Sequence, residues 1–310
     1  MRVHRHLPHR AARARAAHTA AVFVAVVVTT LALAGCGSAH AGHRVEAQAR
    51  SLLHATFDSA RPVRSGRVQM VLRIATVALG SPSFSVTFAG PFVRRAAGGI
   101  PASSFTVTQQ TDGRRLTLAI VRTGAAGYLT VGGVSYVLPA AELARVGEGF
   151  SSVGMIGSGA PGLDPQEWLT DPEVVGHAML DGTRTTEISA GVDVEALLAG
   201  LATVLGRAPG LGVGGGATPV QLSAVRRAKL AAEMADARAW VFVGTSDLLL
   251  RRLELRAQVP GSLVPGAGAA ARAQLTFELG YSQVDRPQTI TVPRRALPYS
   301  RFDPQLLAAG

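Results

Sequence analysis

The chain has 310 residues, a formal net charge of +11 and 47% hydrophobic residues. Five arginines lie within its first 15 residues, so the remaining body carries a moderate basic excess that argues against nucleic acid as a partner. Aromatic residues make up 5% of the chain, which argues against surfaces that stack bases or sugars. Cys36 is the one cysteine, so the sequence holds neither an intramolecular disulfide nor a thiolate metal site.

The first 35 residues have the pattern of an export signal. Residues 1–18 are rich in arginine and histidine, residues 20–34 are mostly apolar, and small residues precede Cys36. This order is typical of a signal peptide, and the apolar run is shorter than the roughly 20 residues that a membrane-spanning helix needs. We therefore predict a signal peptide over residues 1–35. The alternative is an uncleaved membrane anchor in which Cys36 has no role.

The segment Leu33-Ala34-Gly35-Cys36 resembles a bacterial lipobox. In a lipobox the residues before the cysteine are removed, and the cysteine sulfur carries a diacylglyceryl group. Two acyl chains hold a protein firmly at a membrane, whereas one binds only marginally. The resemblance predicts lipidation of Cys36, a lipidated N-terminus and linker over residues 36–44, and a body anchored at the extracytoplasmic face of the cell membrane.

The first half of the body changes from a helical to a strand-like pattern. Apolar residues at three- and four-residue spacing predict a helix over residues 43–60. The period then becomes two, which indicates antiparallel strands with one covered and one wet face. We predict a meander of about six strands over residues 65–138, with turns such as Asp112-Gly113 between them.

The second half mixes helices and strands. Asp164 predicts a helix N-cap, and Asp181-Gly182 predicts a hairpin. We predict a helix over residues 194–205 that ends at Gly206. A second helix is predicted to begin at Thr218 and to run to about residue 238. Strands are predicted over residues 240–245, 249–259, 274–281 and 289–292. Residues 45–297 then form a single domain, and residues 298–310 a loose tail.

Catalytic and cofactor motifs are weak in this sequence. Gly210-x-Gly212-x-x-Gly215 has the spacing of a dinucleotide fingerprint but follows a helix, so we interpret it as a flexible linker. Gly-x-Ser-x-Gly is absent, and Lys229 lacks the serine that a Ser-x-x-Lys signature requires. We predict no catalytic residue, no cofactor and a chain that is not an enzyme.

The remaining polar residues have structural interpretations. His54 lies one helical turn before Asp58, which predicts a solvated pair, and His177 has no second ligand nearby, so no metal site is predicted. Capping and turn roles account for the acidic residues Asp164, Glu167 and Asp171. The arginine doublets predict mainly a solvated face, with contact to anionic lipid headgroups or glycolipids as the alternative. These doublets are Arg94-Arg95, Arg114-Arg115, Arg226-Arg227, Arg251-Arg252 and Arg294-Arg295.

Several segments over residues 45–295 resemble the actinobacterial LppX/LprG-type lipoproteins, which share a fold with the LolA/LolB lipoprotein carriers. They are the lipobox, Ser65-Gly66-Arg67-Val68, Phe88-Ala89-Gly90-Pro91-Phe92, Gly127-Tyr128-Leu129 with Tyr136-Val137, and the strand start from Asp247 to Arg252. The resemblance implies an α+β fold: a strongly curved antiparallel half-barrel with helices on its concave face and acyl chains held between. The sequence pattern itself predicts about ten strands.

We therefore expect a membrane-anchored monomer that binds lipid or glycolipid acyl chains in an apolar cavity and carries them within the cell envelope, with an envelope transporter as a further partner. The alternative is a non-catalytic interaction or sensory lipoprotein whose helices fill the sheet completely. The residues predicted to line the cavity are Val68, Met70, Leu72, Ile74, Phe84, Val86, Phe88, Leu116, Leu118, Ile120, Leu197, Leu198 and Leu201.

Overall fold

The structure is a computed structural model, and the chain divides into two compact units, Met1–Ala47 and Gln48–Gly310. It describes residues 38–58, 63–76, 83–94, 101–111, 114–124, 126–144, 164–207, 223–261, 272–303 and 305–308. In the first unit the described residues, 38–47, are helical. The predicted signal peptide and Cys36 lie outside the described residues, as do the Gly210 motif and Thr218.

Twelve strands in the described part of the chain form one sheet in the second unit. Their order is β12-β6-β5-β4-β3-β2-β1-β11-β10-β9-β8-β7, and all neighbours are antiparallel except β12 and β6. The sheet is open and curled, which confirms the predicted fold class with two strands more than expected. The strands are β1 Ser65–Thr76, β2 Ser83–Val93, β3 Ala102–Thr111, β4 Arg114–Thr123, β5 Ala126–Val131, β6 Val134–Val137, β7 Leu169–Leu180, β8 Thr183–Val192, β9 Ala235–Gly244, β10 Leu250–Pro260, β11 Arg272–Ser282 and β12 Leu297–Pro298.

Short helices accompany the sheet. They include α1 Ser38–Phe57, α2 Pro165–Trp168, α3 Val194–Arg207, α4 Ala224–Glu233 and α5 Gln305–Ala308, and residues 140–144 are also helical. Ala49, Leu53 and Phe57 lie four residues apart on α1, so they form one stripe that is buried in the main core. Leu197 of α3 is buried in the same core. The predicted cap is confirmed, because the Asp164 side chain accepts a hydrogen bond from the Gln166 backbone at 2.9 Å.

The register of the strands places the alternating apolar residues on one continuous face, because residues directly opposite each other in an antiparallel pair point to the same side. Four successive rows cross this face. Row 1 contains Tyr281, Val68 and Gly90; row 2 contains Leu253, Leu279, Met70, Phe88, Val107 and Leu118; row 3 contains Leu255, Phe277, Leu72, Val86, Gln109 and Leu116; row 4 contains Ala257, Leu275, Ile74, Phe84 and Thr111.

Three predicted boundaries are wrong. The helix expected to reach residue 238 ends at Glu233, because residues from Ala235 onward pair with β10. Helix α3 continues through Gly206 to Arg207, because a helix that gains its stability from packing tolerates a glycine in its last turn. Residues 289–292 alternate as a strand would, but they pair with no other strand of the described chain.

The C-terminal segment is not a loose tail. Leu297 and Pro298 form β12, which pairs in parallel with Tyr136 and Val137. The ring of Phe302 then packs against that of Tyr136 with centroids 5.3 Å apart, and against that of Tyr299 at 5.4 Å. Aromatic pairs of this kind contribute about 0.5–1.5 kcal/mol beyond their buried area. Two ring contacts and a short strand therefore order a segment whose sequence has no regular pattern.

Candidate functional site

The apolar face of the sheet is buried in rows 1 and 2 apart from Met70 and is half-buried over most of rows 3 and 4, while Val259 and Ala273, which lie on the same face beyond row 4, are buried again. In row 2, Leu279 is 1% exposed and Phe88 is 6% exposed. In rows 3 and 4 only the residues of β10 are buried, and every member on β11, β1, β2, β3 and β4 is half-buried. Because the rows share one face and adjacent strands, the change lies in what covers the sheet rather than in which way the side chains point.

The buried rows are filled by protein. One core cluster joins Val68, Phe88 and Leu118 of the sheet to Leu53 and Phe57 of α1. Side chains with exposures of a few per cent contact other atoms on all sides, as in ordinary close-packed interiors. Rows 1 and 2 therefore form a packed core.

The half-buried rows are covered only in part. Val86, Phe277 and Leu275 pack against the edge of the main core, and Leu275 together with Ile74 contacts a small cluster formed by Val259 and Ala273. Among the described residues, neither cluster includes Leu72, Phe84 or Leu116. We call the half-buried apolar side chains of rows 3 and 4 the open patch: Leu72, Ile74, Phe84, Val86, Leu116, Leu275 and Phe277.

The residues predicted to line a cavity divide between these two regions. Val68, Phe88, Leu118, Ile120, Leu197 and Leu198 are buried. Met70 is half-buried against the main core. Leu72, Ile74, Phe84, Val86 and Leu116 belong to the open patch. The side chain of Leu201 is outside the described part of the structure, and a role of any of these residues in lipid binding stays a prediction. The prediction missed Leu275 and Phe277, which alternate within β11 but reach the patch only through the pairing of β11 with β1.

A buried phenol lies in row 1, beside the arginine that follows β2. The ring of Tyr281 meets that of Phe92 edge-on with centroids 6.4 Å apart. Burial raises the pKa of the Tyr281 hydroxyl above its ordinary value, while the neighbouring charge of Arg94 opposes this increase. Burial also lowers the pKa of Arg94. Tyr281 is therefore a neutral member of the core.

This burial predicts a loss of stability in alkali. The folded-state pKa of Tyr281 is raised, so the burial of its neutral hydroxyl contributes fully to stability below about pH 10. Above that pH the contribution is lost, because the Tyr281 hydroxyl ionises in the unfolded chain. The loss reaches at most about 1.4 kcal/mol per pH unit. We expect Tyr281→Phe to flatten the fall in the free energy of urea unfolding between pH 9.5 and 11. Tyr128→Phe, at a half-buried tyrosine of β5, is the control. An unchanged slope in the Tyr281 variant would contradict the assignment.

The other candidate polar residues lie apart from one another. His54 and Asp58 form an exposed pair with Nε2 and Oδ2 2.9 Å apart, as predicted. His177 is exposed on β7. The described residues hold no cluster of three or more histidine, cysteine or acidic side chains that could bind a metal ion. None of the described helices has the length and hydropathy needed to cross a membrane.

One arginine doublet does not belong to a solvated face. Arg251 is 8% exposed and is paired with Asp247. Arg252 instead lies 3.5 Å from the Glu278 carboxylate and 5.9 Å from the centre of the Phe242 ring. Burial also separates Arg94 from the predicted solvated face, whereas Arg114 and Arg115 are exposed as expected.

Comparison with known proteins finds resemblance only in structure. No protein-family model matches the sequence, and no curated protein matches it. The lipoprotein LppX of Mycobacterium tuberculosis is 12% identical with a TM-score of 0.40, over 79% of this chain and 98% of that chain. LprF of Mycobacterium bovis is 14% identical with a TM-score of 0.36, over 79% and 97%. A LolA superfamily protein of Nitrosomonas europaea is 11% identical with a TM-score of 0.22, over 79% and 97%. The structural neighbours thus include proteins of the groups that the sequence resembles.

Proposed function

We propose that this chain is a membrane-anchored lipoprotein that binds lipid or glycolipid acyl chains on the open patch and carries them within the cell envelope. The observation that carries this proposal is the change in burial along one apolar face. Rows 1 and 2 are covered by helices, but rows 3 and 4 keep half-buried leucine, isoleucine, valine and phenylalanine side chains. A contiguous group of apolar side chains that stay partly accessible is a candidate for covering by an apolar ligand.

The energetics suit a carrier. Apolar surface left in contact with water costs about 25 cal/mol per Å², so a ligand that covers the open patch is stabilised there without any charged contact. Each methylene moved from a bilayer to the patch exchanges one apolar environment for another, so the net free energy of transfer per methylene is near zero, compared with about 0.8 kcal/mol for transfer from water. A carrier must release its cargo, and this balance permits release. The proposal requires no catalysis, no cofactor and no metal.

The predicted anchor complements the patch. A diacylglyceryl group on Cys36 would keep the body beside the membrane that supplies the acyl chains. The body would then take acyl chains from the membrane to which it is anchored, and the delivery of those chains to an envelope transporter would be a separate binding event. We propose that the body acts as a monomer, because a single chain supplies every side chain of the patch.

A second candidate rests on the packed rows. Val68, Phe88, Leu118 and Leu279 are buried, so the helices already fill the deeper half of the face. If the patch is also covered in solution, the chain is a non-catalytic interaction or sensory module that works through its outer surface. The two candidates differ in one measurable property, which is the uptake of a lipid.

Native mass spectrometry of the chain from residue 37 onward tests the proposal. After incubation with vesicles of phosphatidylethanolamine and phosphatidylglycerol, and removal of the vesicles, a carrier retains one or a few lipid molecules per chain. Transfer of a fluorescent phospholipid from donor to acceptor vesicles should then accelerate with added protein. A bare protein mass together with no acceleration would contradict lipid carriage and favour the filled module.

A further inference from the structure

A polar pocket lies at the end of the sheet where β7 and β11 end and β8 and β10 begin. Its volume is about 360 Å³, which is near the lower limit of pockets that bind small molecules. Hydroxyl, amide and guanidinium groups line it, from Thr183, Ser282, Gln283, Arg251 and Arg286. Such a lining does not suit an acyl chain, so the pocket calls for a small polar ligand.

Arg251 gives this pocket its chemical character. The side chain is 8% exposed, and its Nη2 donates a hydrogen bond to Oδ2 of Asp247. The other carboxylate oxygen of Asp247 accepts from the backbone N–H of Leu249 at 3.1 Å. The Nη1 group of Arg251 is buried and has no hydrogen-bond partner among the described residues. A buried cationic donor without an acceptor is costly, and an acceptor that enters the pocket would remove this cost.

The pocket offers an anion guanidinium donors rather than a net positive charge. Arg251 and Arg286 contribute two positive charges to the lining, and Asp181 contributes one negative charge. Asp247, which pairs with Nη2 of Arg251, brings the sum of these charges to zero and leaves Nη1 without an acceptor among the described residues. Arg286 is exposed at the mouth, where its side chain can reach an entering ligand.

The backbone around the pocket is tied in place. Two lining residues that are not glycine, Asp181 and Gln283, have positive φ angles of 48° and 51°. The loop after β11 is held against the start of β1, because the Asp285 carboxylate accepts from the backbone N–H of Arg64 at 2.8 Å and the Ser65 hydroxyl donates to the Arg286 carbonyl at 2.7 Å. Non-glycine residues with positive φ carry a conformational cost that the surrounding structure must offset.

We propose that this pocket binds a phosphate-type oxyanion, with the forked guanidinium of Arg251 as its fixed anchor and Arg286 as a second cation at the mouth. Guanidinium groups match the geometry of phosphate oxygens and form charge-assisted hydrogen bonds to them. The pocket is separate from the open patch. Along β11, Tyr281 lines the pocket and Phe277 is the nearest residue of the patch, roughly 13 Å away along the strand at about 3.3 Å per residue. The oxyanion is free phosphate or the phosphodiester headgroup of an anionic lipid.

Isothermal titration of the full chain in a non-ionic detergent tests this site. The probes are inorganic phosphate and glycerophosphoglycerol, a water-soluble phosphodiester headgroup, each at an ionic strength matched with chloride. Arg251→Lys keeps the positive charge beside Asp247 but removes the forked donor, and Arg286→Gln removes the cation at the mouth. Each variant should weaken binding about tenfold. Arg115→Gln, at an exposed arginine on the opposite end of the sheet, should bind as the wild type does.

The two probes distinguish the sources of the oxyanion. Saturable binding of phosphate alone identifies a free phosphate or phosphomonoester, whereas binding of the diester identifies a lipid headgroup, and both results support the site. Circular dichroism of each variant establishes that it is folded. The proposal is overturned if neither probe binds saturably, or if the Arg251 and Arg286 variants both keep wild-type affinity.

Discussion

Replacing Leu72 and Phe84 together by asparagine is expected to weaken lipid binding by about a hundredfold while leaving the body folded. Both side chains lie on the open patch, are half-buried and belong to neither core cluster. Full burial of one Leu or Phe side chain contributes about 1.5–3 kcal/mol, and a ligand would cover roughly the half of each that is still accessible, so losing both contacts costs about 1.5–3 kcal/mol in total. An amide placed against acyl chains adds a desolvation cost. The measurement is the concentration of protein that halves the signal of a vesicle-bound fluorescent phospholipid.

The neighbouring residue Val71 supplies a matched control. It lies next to Leu72 in β1 and is also half-buried, but it points to the opposite face, where Glu278 and Thr87 lie across from it. Val71→Asn therefore makes a polar replacement of similar size in the same strand without touching the patch. It should bind lipid as the wild type does. If Val71→Asn lowers the affinity for lipid as much as the double replacement of Leu72 and Phe84 does, the loss comes from a disturbed β1 strand and not from the patch.

The apolar face was predictable because its signal is local. A period of two fixes which residues of one strand share a side, so the alternation of residues 68–74 and 84–88 was sufficient to place them together. The structure confirms this pairing, since Ile74 lies opposite Phe84 and Met70 lies opposite Phe88. The turn at Asp181-Gly182 was equally local: both residues have positive φ, as a two-residue hairpin loop requires.

The burial gradient could not be predicted because it depends on distant segments. Leu72 and Met70 have the same local pattern and are both half-buried, but among the described residues only Met70 packs against the main core. The doublet Arg251-Arg252 differs in this respect, because alternation along β10 already places Arg251 on the side of Leu253 and Arg252 on the side of Glu254. What alternation does not give is the partner of Arg251, the Asp247 carboxylate in the turn before β10. The two adjacent guanidinium groups therefore have different partners.

Gly90→Ala is expected to destabilise the body by about 3 kcal/mol, the largest effect of a single methyl group in the described sheet. Gly90 lies in β2 opposite Val68, in row 1 of the packed core. A Cβ atom at this position would overlap the backbone oxygen of Ser104 and lie 2.9 Å from its carbonyl carbon and 3.0 Å from the Cα atom of Phe105. These are atoms of the β3 backbone, so relief requires β2 and β3 to separate where they pair. The measurement is the free energy of urea unfolding.

Gly176→Ala isolates the effect of this close approach. Gly176 also lies in a strand, the edge strand β7, but apart from its own atoms and those of its two chain neighbours, no atom of the described chain lies within 4 Å of the Cβ position. Alanine also restricts the unfolded chain, so this variant should differ from the wild type by no more than about 0.5 kcal/mol and can be slightly more stable. The comparison separates the clash from the general effect of replacing glycine. If both variants unfold at the same urea concentration, β2 and β3 are not as close as the structure places them.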